Sequence, residues 1–180
     1  MPHSRQKRDK VPKRECSYEL AEAMLKLAEK EVKIIKEMRS RQYDIVELSP
    51  YIANAVEYLA KALIYAINVD KRVCEETRNR HDVSGILVDV FTKSPIPLSE
   101  DDVKAVAGIA FLNAMLCNKV VRAIVNYGVE SLGILFHEAA KKTTSVLYEW
   151  KELLEHVTKL LDKYYSCLLY TSDAADELDG

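Results

Sequence analysis

Residues 50–68 read PYIANAVEYLAKALIYAIN and form the most strongly patterned stretch of the chain. Ser49-Pro50 opens the stretch and is typical of a helix start, because serine caps helix ends and proline fits the first helical position. Apolar side chains then recur at helical spacing, which places them on one face: Ile52, Val56, Leu59, Leu63 and Ala66. The stretch therefore predicts a helix over 50–68.

Helical periodicity also dominates on both sides of this helix. It predicts an amphipathic helix over roughly 17–39, a short helix Val83–Phe91, a helix capped by Ser99 that ends near Asn126, and a closing helix over 136–164. The closing helix carries a coiled-coil-like seam: Phe136, Ala140, Thr143, Leu147, Trp150, Leu154, Val157, Leu161 and Tyr164. No strand pattern is found. The predicted fold is all-α, an up-and-down bundle of four to five helices.

The two ends of the chain differ from the rest. Residues 1–16 hold six Lys/Arg and two acidic residues, which predicts a disordered basic arm. Residues 167–177 read CLLYTSDAADE and resemble the in-frame translation of a sequencing adapter, so we interpret 167–180 as a non-native tail after a bundle of 17–166. Without the four acidic residues of this tail, 26 basic residues face 24 acidic ones, and the net charge changes from −2 to +2. That charge permits a nucleic-acid partner.

The composition indicates the class of protein and the cellular compartment that we expect for it. With 180 residues, 48% apolar and 30% charged, the chain predicts one helical domain. It shows no long apolar run and no secretory signal, so we expect no membrane association and a cytoplasmic location. The cysteines are far apart without a CxxC pair, which predicts free thiols, no metal site and no cofactor: Cys16, Cys74, Cys117 and Cys167.

The polar segment 78–82, which follows the central helix and precedes the next one, resembles a functional site. Arg78, Arg80 and His81 are the candidate phosphate-binding residues, because arginine forks and helix N-termini both favour anions. Glu57 and Lys61, spaced i,i+4 on the central helix, are assigned to the same site. No catalytic residue is firmly indicated, and His81 is the candidate.

Simpler interpretations exist for the same residues. His81 can orient the start of the following helix, with Asp82 adding a favourable helix-end charge, and the arginines can form a solvated loop. Glu57 and Lys61 can be an exposed pair worth about 0.3–0.5 kcal/mol, or they can line a groove between two subunits. The seam of the closing helix can serve the core or bind a partner.

Residues 54–64, NAVEYLAKALI, resemble the second-helix motif of HEPN domains, in which a Glu and a Lys four residues apart lie among Ala and Leu. Residues 80–87, RHDVSGIL, resemble the basic-His-Asp-apolar signature of that family, Asn126-Tyr127-Gly128 falls at its Arg-Tyr-Pro-like turn, and residues 138–154 resemble its closing helix. The resemblance covers about 17–162. It implies a four- or five-helix bundle, a homodimer, and a partnership with a small nucleotidyltransferase in a toxin–antitoxin-like or defence system. It also implies binding of RNA or a nucleotide.

Many HEPN domains are metal-independent RNases that carry an Arg, four to six residues, and then a His. Here the positions at that distance before His81 hold Cys74, Glu75 and Glu76, so the standard motif is absent. We therefore expect a nucleic-acid-associated partner module without this activity. The alternatives are a divergent RNase that uses Arg78, Arg80 and His81, and a purely structural helical dimer.

Overall fold

The computed structural model describes residues 18–43, 45–67, 70–94, 97–117 and 150–178, and for residues 45, 46 and 165–178 it describes only the backbone. Within these residues the chain forms six α-helices and no strand, which confirms the all-α class. The helices are α1 (Tyr18–Ser40), α2 (Ile45–Ala66), α3 (Lys71–Asn79), α4 (Ser84–Thr92), α5 (Glu100–Cys117) and α6 (Trp150–Leu178).

Helix α2 lies at the centre of the fold and contacts each of the other five helices. It is apolar on almost every side, as expected for a helix surrounded by others. Its most extensive contact is with α1, to which a short turn connects it. Gln42 in that turn has a φ of 61°, and the Tyr43 N–H donates to the Met38 carbonyl at 3.1 Å. This geometry is a Schellman-type helix end with glutamine where glycine is preferred.

The predicted start of α2 at Ser49-Pro50 is wrong, because the helix begins at Ile45 and contains Pro50. A proline this close to the helix N-terminus removes only one backbone hydrogen bond. Leu48, which lies before the proline, is 5% exposed and packs in the core. The buried Leu48 anchors this part of the helix to the core, so a pattern typical of a helix start lies inside the helix.

Helix α3 is absent from the sequence prediction, which places residues 78–82 in a polar loop and assigns no helix between residue 68 and that loop. It begins after Asp70, whose carboxylate accepts from the Val73 N–H at 2.9 Å, and it ends at Asn79. Only Cys74 and Thr77 are buried on it, so its apolar signal is weak. Arg78 therefore lies in the last turn of a helix, where a positive charge is favourable.

The predicted cap of α5 is confirmed. The Ser99 hydroxyl accepts from the Asp102 N–H at 3.1 Å, and the Asp102 carboxylate accepts from the Ser99 N–H at 3.0 Å. This is a reciprocal capping box. The predicted end of this helix near Asn126 and Tyr127-Gly128 lies outside the described residues.

Helix α6 confirms that the described part of the seam belongs to the core. Buried along it are Trp150, Leu153, Val157, Leu160, Leu161 and Tyr164, while Leu154 is half-buried. The seam residues before Trp150 and the basic arm lie outside the described residues. The backbone of α6 continues through 167–178, the segment that we interpret as non-native.

Two further predictions concern cysteine chemistry and membranes. Cys74 is disulfide-bonded, so the prediction of a free thiol is wrong at this position, while Cys117 is not in a disulfide. Among the described residues, no helix has both the length and the apolar character that a membrane crossing requires.

Candidate functional site

Glu57 and Lys61 form an ion pair on α2, with the Lys61 Nζ 2.9 Å from Glu57 Oε1. Both residues are only 9% exposed, so the interpretation as a solvated surface pair is wrong. A buried carboxylate is costly unless opposite charges and hydrogen bonds compensate it. Lys61 provides the opposite charge that compensates the burial of the Glu57 carboxylate.

His81 supplies the second partner of Glu57. Its Nδ1 lies 3.1 Å from Glu57 Oε1 and 3.2 Å from Oε2, although 24 positions separate the two residues in the chain. Because a carboxylate only accepts hydrogen bonds, Nδ1 must carry the proton, and the Nε2 edge of the ring points away from Glu57. The His81 side chain is 78% exposed. The imidazole is thus fixed at one edge and open to solvent at the other.

Asp82 caps the helix that follows. Its carboxylate accepts from the Ser84 N–H at 3.1 Å and from the Ser84 hydroxyl at 2.6 Å. Capping of α4 is therefore the role of Asp82, while the His81 side chain bonds across to α2.

Asn113 of α5 forms hydrogen bonds with the backbone of the loop that carries His81. Its amide nitrogen donates to the His81 carbonyl at 3.0 Å, and its amide oxygen accepts from the Val83 N–H at 2.8 Å. Cys117, one turn later on α5, donates from Sγ to the same His81 carbonyl at 3.4 Å. The loop that carries His81 is therefore bonded to α5 through its backbone and to α2 through its side chain.

The two arginines are exposed at the edge of this cluster. Arg78 is close enough to Tyr65 for its charge to act on the phenol: burial raises the pKa of Tyr65, and Arg78 partly opposes that rise. Arg80 is the C-cap residue that follows α3, and its backbone is extended. Neither arginine forms an ion pair with a carboxylate of the described residues. The structure joins Glu57, Lys61 and His81, and leaves Arg78 and Arg80 as separate exposed cations.

Acidic groups lie on the α1 side of the cluster. The pKa of Tyr58 is raised, first by burial and then by the negative charges of Glu31 and Glu57. One carboxylate oxygen of Glu31 is buried without a hydrogen-bond partner. Glu31 therefore adds negative charge on the α1 side of the cluster, whereas the arginines at the exposed edge are positive.

A second cluster of the same residue types, which the sequence did not suggest, joins α5 to α6. Asp102 Oδ1 lies 2.8 Å from His156 Nε2, and Asp102 Oδ2 lies 3.5 Å from Lys163 Nζ. Burial is the largest influence on the pKa of Asp102 and would raise it, but hydrogen bonds from Ser99 and His156 and the charge of Lys163 together lower it. The net effect favours an ionised Asp102.

One feature of the sequence indicates that Asn113 is buried. Residues 109–116 read IAFLNAML, and Asn113 is their only polar residue. It falls on the same helix face as Ile109, which is 1% exposed, so a buried amide was foreseeable there. Its two partners on a distant loop were not.

Comparisons of this chain with protein-family models, with curated proteins and with solved structures find no match. Within the described part of the chain, no group of three or more His, Cys, Asp or Glu residues is arranged to hold a metal ion. The site must therefore be interpreted from its own geometry.

Proposed function

We propose that this chain is a HEPN-like helical module that binds a nucleotide or RNA through an exposed phosphate-binding surface formed by Arg78, Arg80 and His81. In this proposal it acts as a homodimer beside a small nucleotidyltransferase in a toxin–antitoxin-like or defence system, and it does not cleave RNA. The family and the partners come from the sequence resemblance. The binding surface is argued from the site.

The arrangement of His81 carries the proposal. A histidine that serves only to balance the buried Glu57 could be buried beside it, yet the His81 side chain is 78% exposed. Its Nδ1 is occupied by Glu57, so the opposite ring edge presents a fixed polar group to solvent. Fixing the ring before binding reduces the entropy that a ligand must overcome.

The charge of the surface supports an anionic ligand. Glu57 is already balanced by Lys61 at 2.9 Å, and Asp82 is engaged with Ser84. Arg78 and Arg80 are exposed and form no ion pair with a carboxylate of the described residues, so their positive charges are available to a ligand. Guanidinium groups bind phosphates with two parallel hydrogen bonds, which makes phosphate the ligand group that fits best.

A divergent RNase is the second candidate, and the Glu57–His81 pair is the observation that favours it. A carboxylate that fixes the tautomer of an exposed histidine is also what a general base requires. Cleavage needs in addition a cation held at the developing phosphorane charge. Among the described residues, no hydrogen bond joins the side chain of Arg78 or Arg80 to that of His81, which is why we favour binding without cleavage.

One experiment separates the two candidates. The full chain is incubated with fluorescein-labelled oligouridylate in EDTA, and binding is followed by anisotropy and cleavage by denaturing gel. We expect salt-dependent binding of intact RNA, weakened in Arg78→Ala/Arg80→Ala. Cleavage that His81→Ala abolishes would establish the RNase instead. RNA that is neither bound nor cut would overturn both candidates and leave a structural dimer, for which light scattering gives the oligomeric state.

A further inference from the structure

The contact between Asn113 and the loop of His81 has a feature that packing alone does not require. Asn113 is 1% exposed, and its side chain bonds to two backbone groups on either side of Asp82. Both polar ends of the amide are thus used, which satisfies the condition for burying such a group. The His81 carbonyl and the Val83 N–H are fixed to α5 at 3.0 Å and 2.8 Å.

The position of the His81 ring depends on these two bonds. Its Nδ1 reaches Glu57 on α2, while its carbonyl is held by Asn113 on α5, so the residue bridges two helices that pack against each other. Most of the ring is in solvent and gains little from packing. If the backbone of 81–83 were released, solvation would compete with the contact to Glu57.

We propose that Asn113 is a positioning residue of the phosphate-binding surface: by fixing the backbone of residues 81–83 to α5, it holds His81 Nδ1 on Glu57 and the Nε2 edge toward the ligand. This inference rests on the proposed function for its effect on binding. Its structural half, the control of the His81 ring by Asn113, does not depend on any ligand.

The test uses two variants of the full chain and a matched control. Asn113→Ala removes both backbone contacts, whereas Asn113→Asp keeps the size and the acceptor for Val83 but replaces the donor with a carboxylate oxygen, which repels the His81 carbonyl. Leu112→Ala is the control, because Leu112 is a buried neighbour on the same helix, 2% exposed, and cannot hydrogen-bond to the loop. Circular dichroism selects conditions under which every variant is folded.

Two measurements are made on each protein. The side-chain ¹⁵N spectrum of His81 reports which ring nitrogen carries the proton, and anisotropy gives the affinity for labelled oligouridylate. We expect the wild type and Leu112→Ala to show a protonated Nδ1 and equal affinity. Both Asn113 variants should lose that fixed tautomer and bind about five- to tenfold more weakly, the effect of one hydrogen bond.

The outcomes are distinguishable. If the Asn113 variants keep the fixed tautomer and the wild-type affinity, the inference is wrong and Asn113 only fills the core. If Leu112→Ala changes the tautomer as much as they do, the effect is one of general destabilisation and the inference is equally wrong. If the wild type does not bind oligouridylate, the proposed function fails, and the tautomer comparison alone decides whether Asn113 positions His81.

Discussion

Two clusters in this fold contain the same three kinds of side chain and arrange them in opposite ways. In the cluster of Glu57, Lys61 and His81, the lysine side chain is 11% exposed and the histidine side chain is 78% exposed. In the cluster of Asp102, His156 and Lys163, the histidine is 17% exposed and the lysine 40%. The carboxylates are equally buried, each with 12% of its side chain exposed.

The exposure of the histidine determines which cluster is accessible to a ligand. Asp102 belongs to the reciprocal cap of α5 and bonds to α6, so its cluster connects two helices and leaves its histidine largely enclosed. The charge of Glu57 is balanced by Lys61 on the same helix. His81 lies on a loop, with one edge of its ring bonded to Glu57 and the other edge in solvent. Residue type alone does not distinguish the two clusters, whereas the exposure of the histidine does, and for this reason we propose the His81 cluster as the binding surface.

The largest effect is expected from the buried lysine. Lys61→Met should lower the free energy of unfolding by about 3 kcal/mol, because it leaves the buried Glu57 carboxylate without its main counter-charge. The double variant Glu57→Leu/Lys61→Met should recover most of that loss. Urea denaturation measures both. Lys163→Met is the control in the other cluster and should lower the free energy of unfolding by less than about 0.5 kcal/mol, because Lys163 is partly solvated. Equal losses of stability in the Lys61 and Lys163 variants would contradict the difference between the two clusters.

The second prediction concerns Asp102 and pH. Its pKa is lowered in the folded protein from an ordinary value of 3.8, so the unfolded chain takes up the proton first as pH falls. Its contribution to stability is present above pH 3.8 and is lost as pH falls through the lower, folded-state pKa. Asp102→Asn should cost about 2 kcal/mol at neutral pH through the lost charged hydrogen bonds and cap. Stability measured against pH should fall less steeply in acid for this variant, and an unchanged slope would contradict the assignment.

The third prediction contrasts the two histidines: we expect His81 to affect binding and His156 to affect stability. His81→Ala should weaken binding of labelled oligouridylate about tenfold, while the free energy of unfolding changes by less than about 1 kcal/mol because the ring is mostly exposed. His156→Ala should do the reverse: it destabilises the α5–α6 contact and leaves the affinity unchanged. Anisotropy and urea denaturation on the same samples check both. Weaker RNA binding by His156→Ala, under conditions where this variant is fully folded, would contradict the proposed difference between the two clusters.

The smallest effect concerns the helix starts beside the two clusters. Helix α5 begins with a reciprocal cap, whereas the N-cap residue of α4, Val83, has a side chain that cannot form a cap hydrogen bond, and α4 has Gly85 in its first turn. A Cβ at Gly85 would meet open space. Gly85→Ala should therefore raise the free energy of unfolding by about 0.5–1 kcal/mol, since alanine loses less entropy in a helix. A decrease in thermal stability would show that this glycine is needed.

Much of the fold could be predicted because long amphipathic helices leave a strong periodic signal. The central helix, the Ser99 cap and the described part of the α6 seam follow from local sequence. The signal fails where it is weak or ambiguous: α3 buries only two residues, and Ser49-Pro50 is compatible with both a helix start and a second turn. In each case tertiary packing decides, and no short window contains that information.

The site could be predicted only in part for a related reason. The i,i+4 spacing of Glu57 and Lys61 is local and readable, and the segment of His81 is visibly polar. The contact between them spans 24 positions, that of Asn113 with His81 spans 32, and that of Asp102 with His156 spans 54. Such contacts depend on how the helices pack. The burial of Glu57 and Lys61 likewise follows from the central position of α2, and the sequence left it undecided.

An NMR titration of the full chain with oligouridylate, following the imidazole signals of His81 and His156 assigned through their alanine variants, tests the proposed binding surface most directly. We expect the His81 signals to shift in a saturable, salt-dependent manner and those of His156 to remain in place. Movement of His156 alone, or no movement of His81 at RNA concentrations that saturate anisotropy, would contradict the proposal.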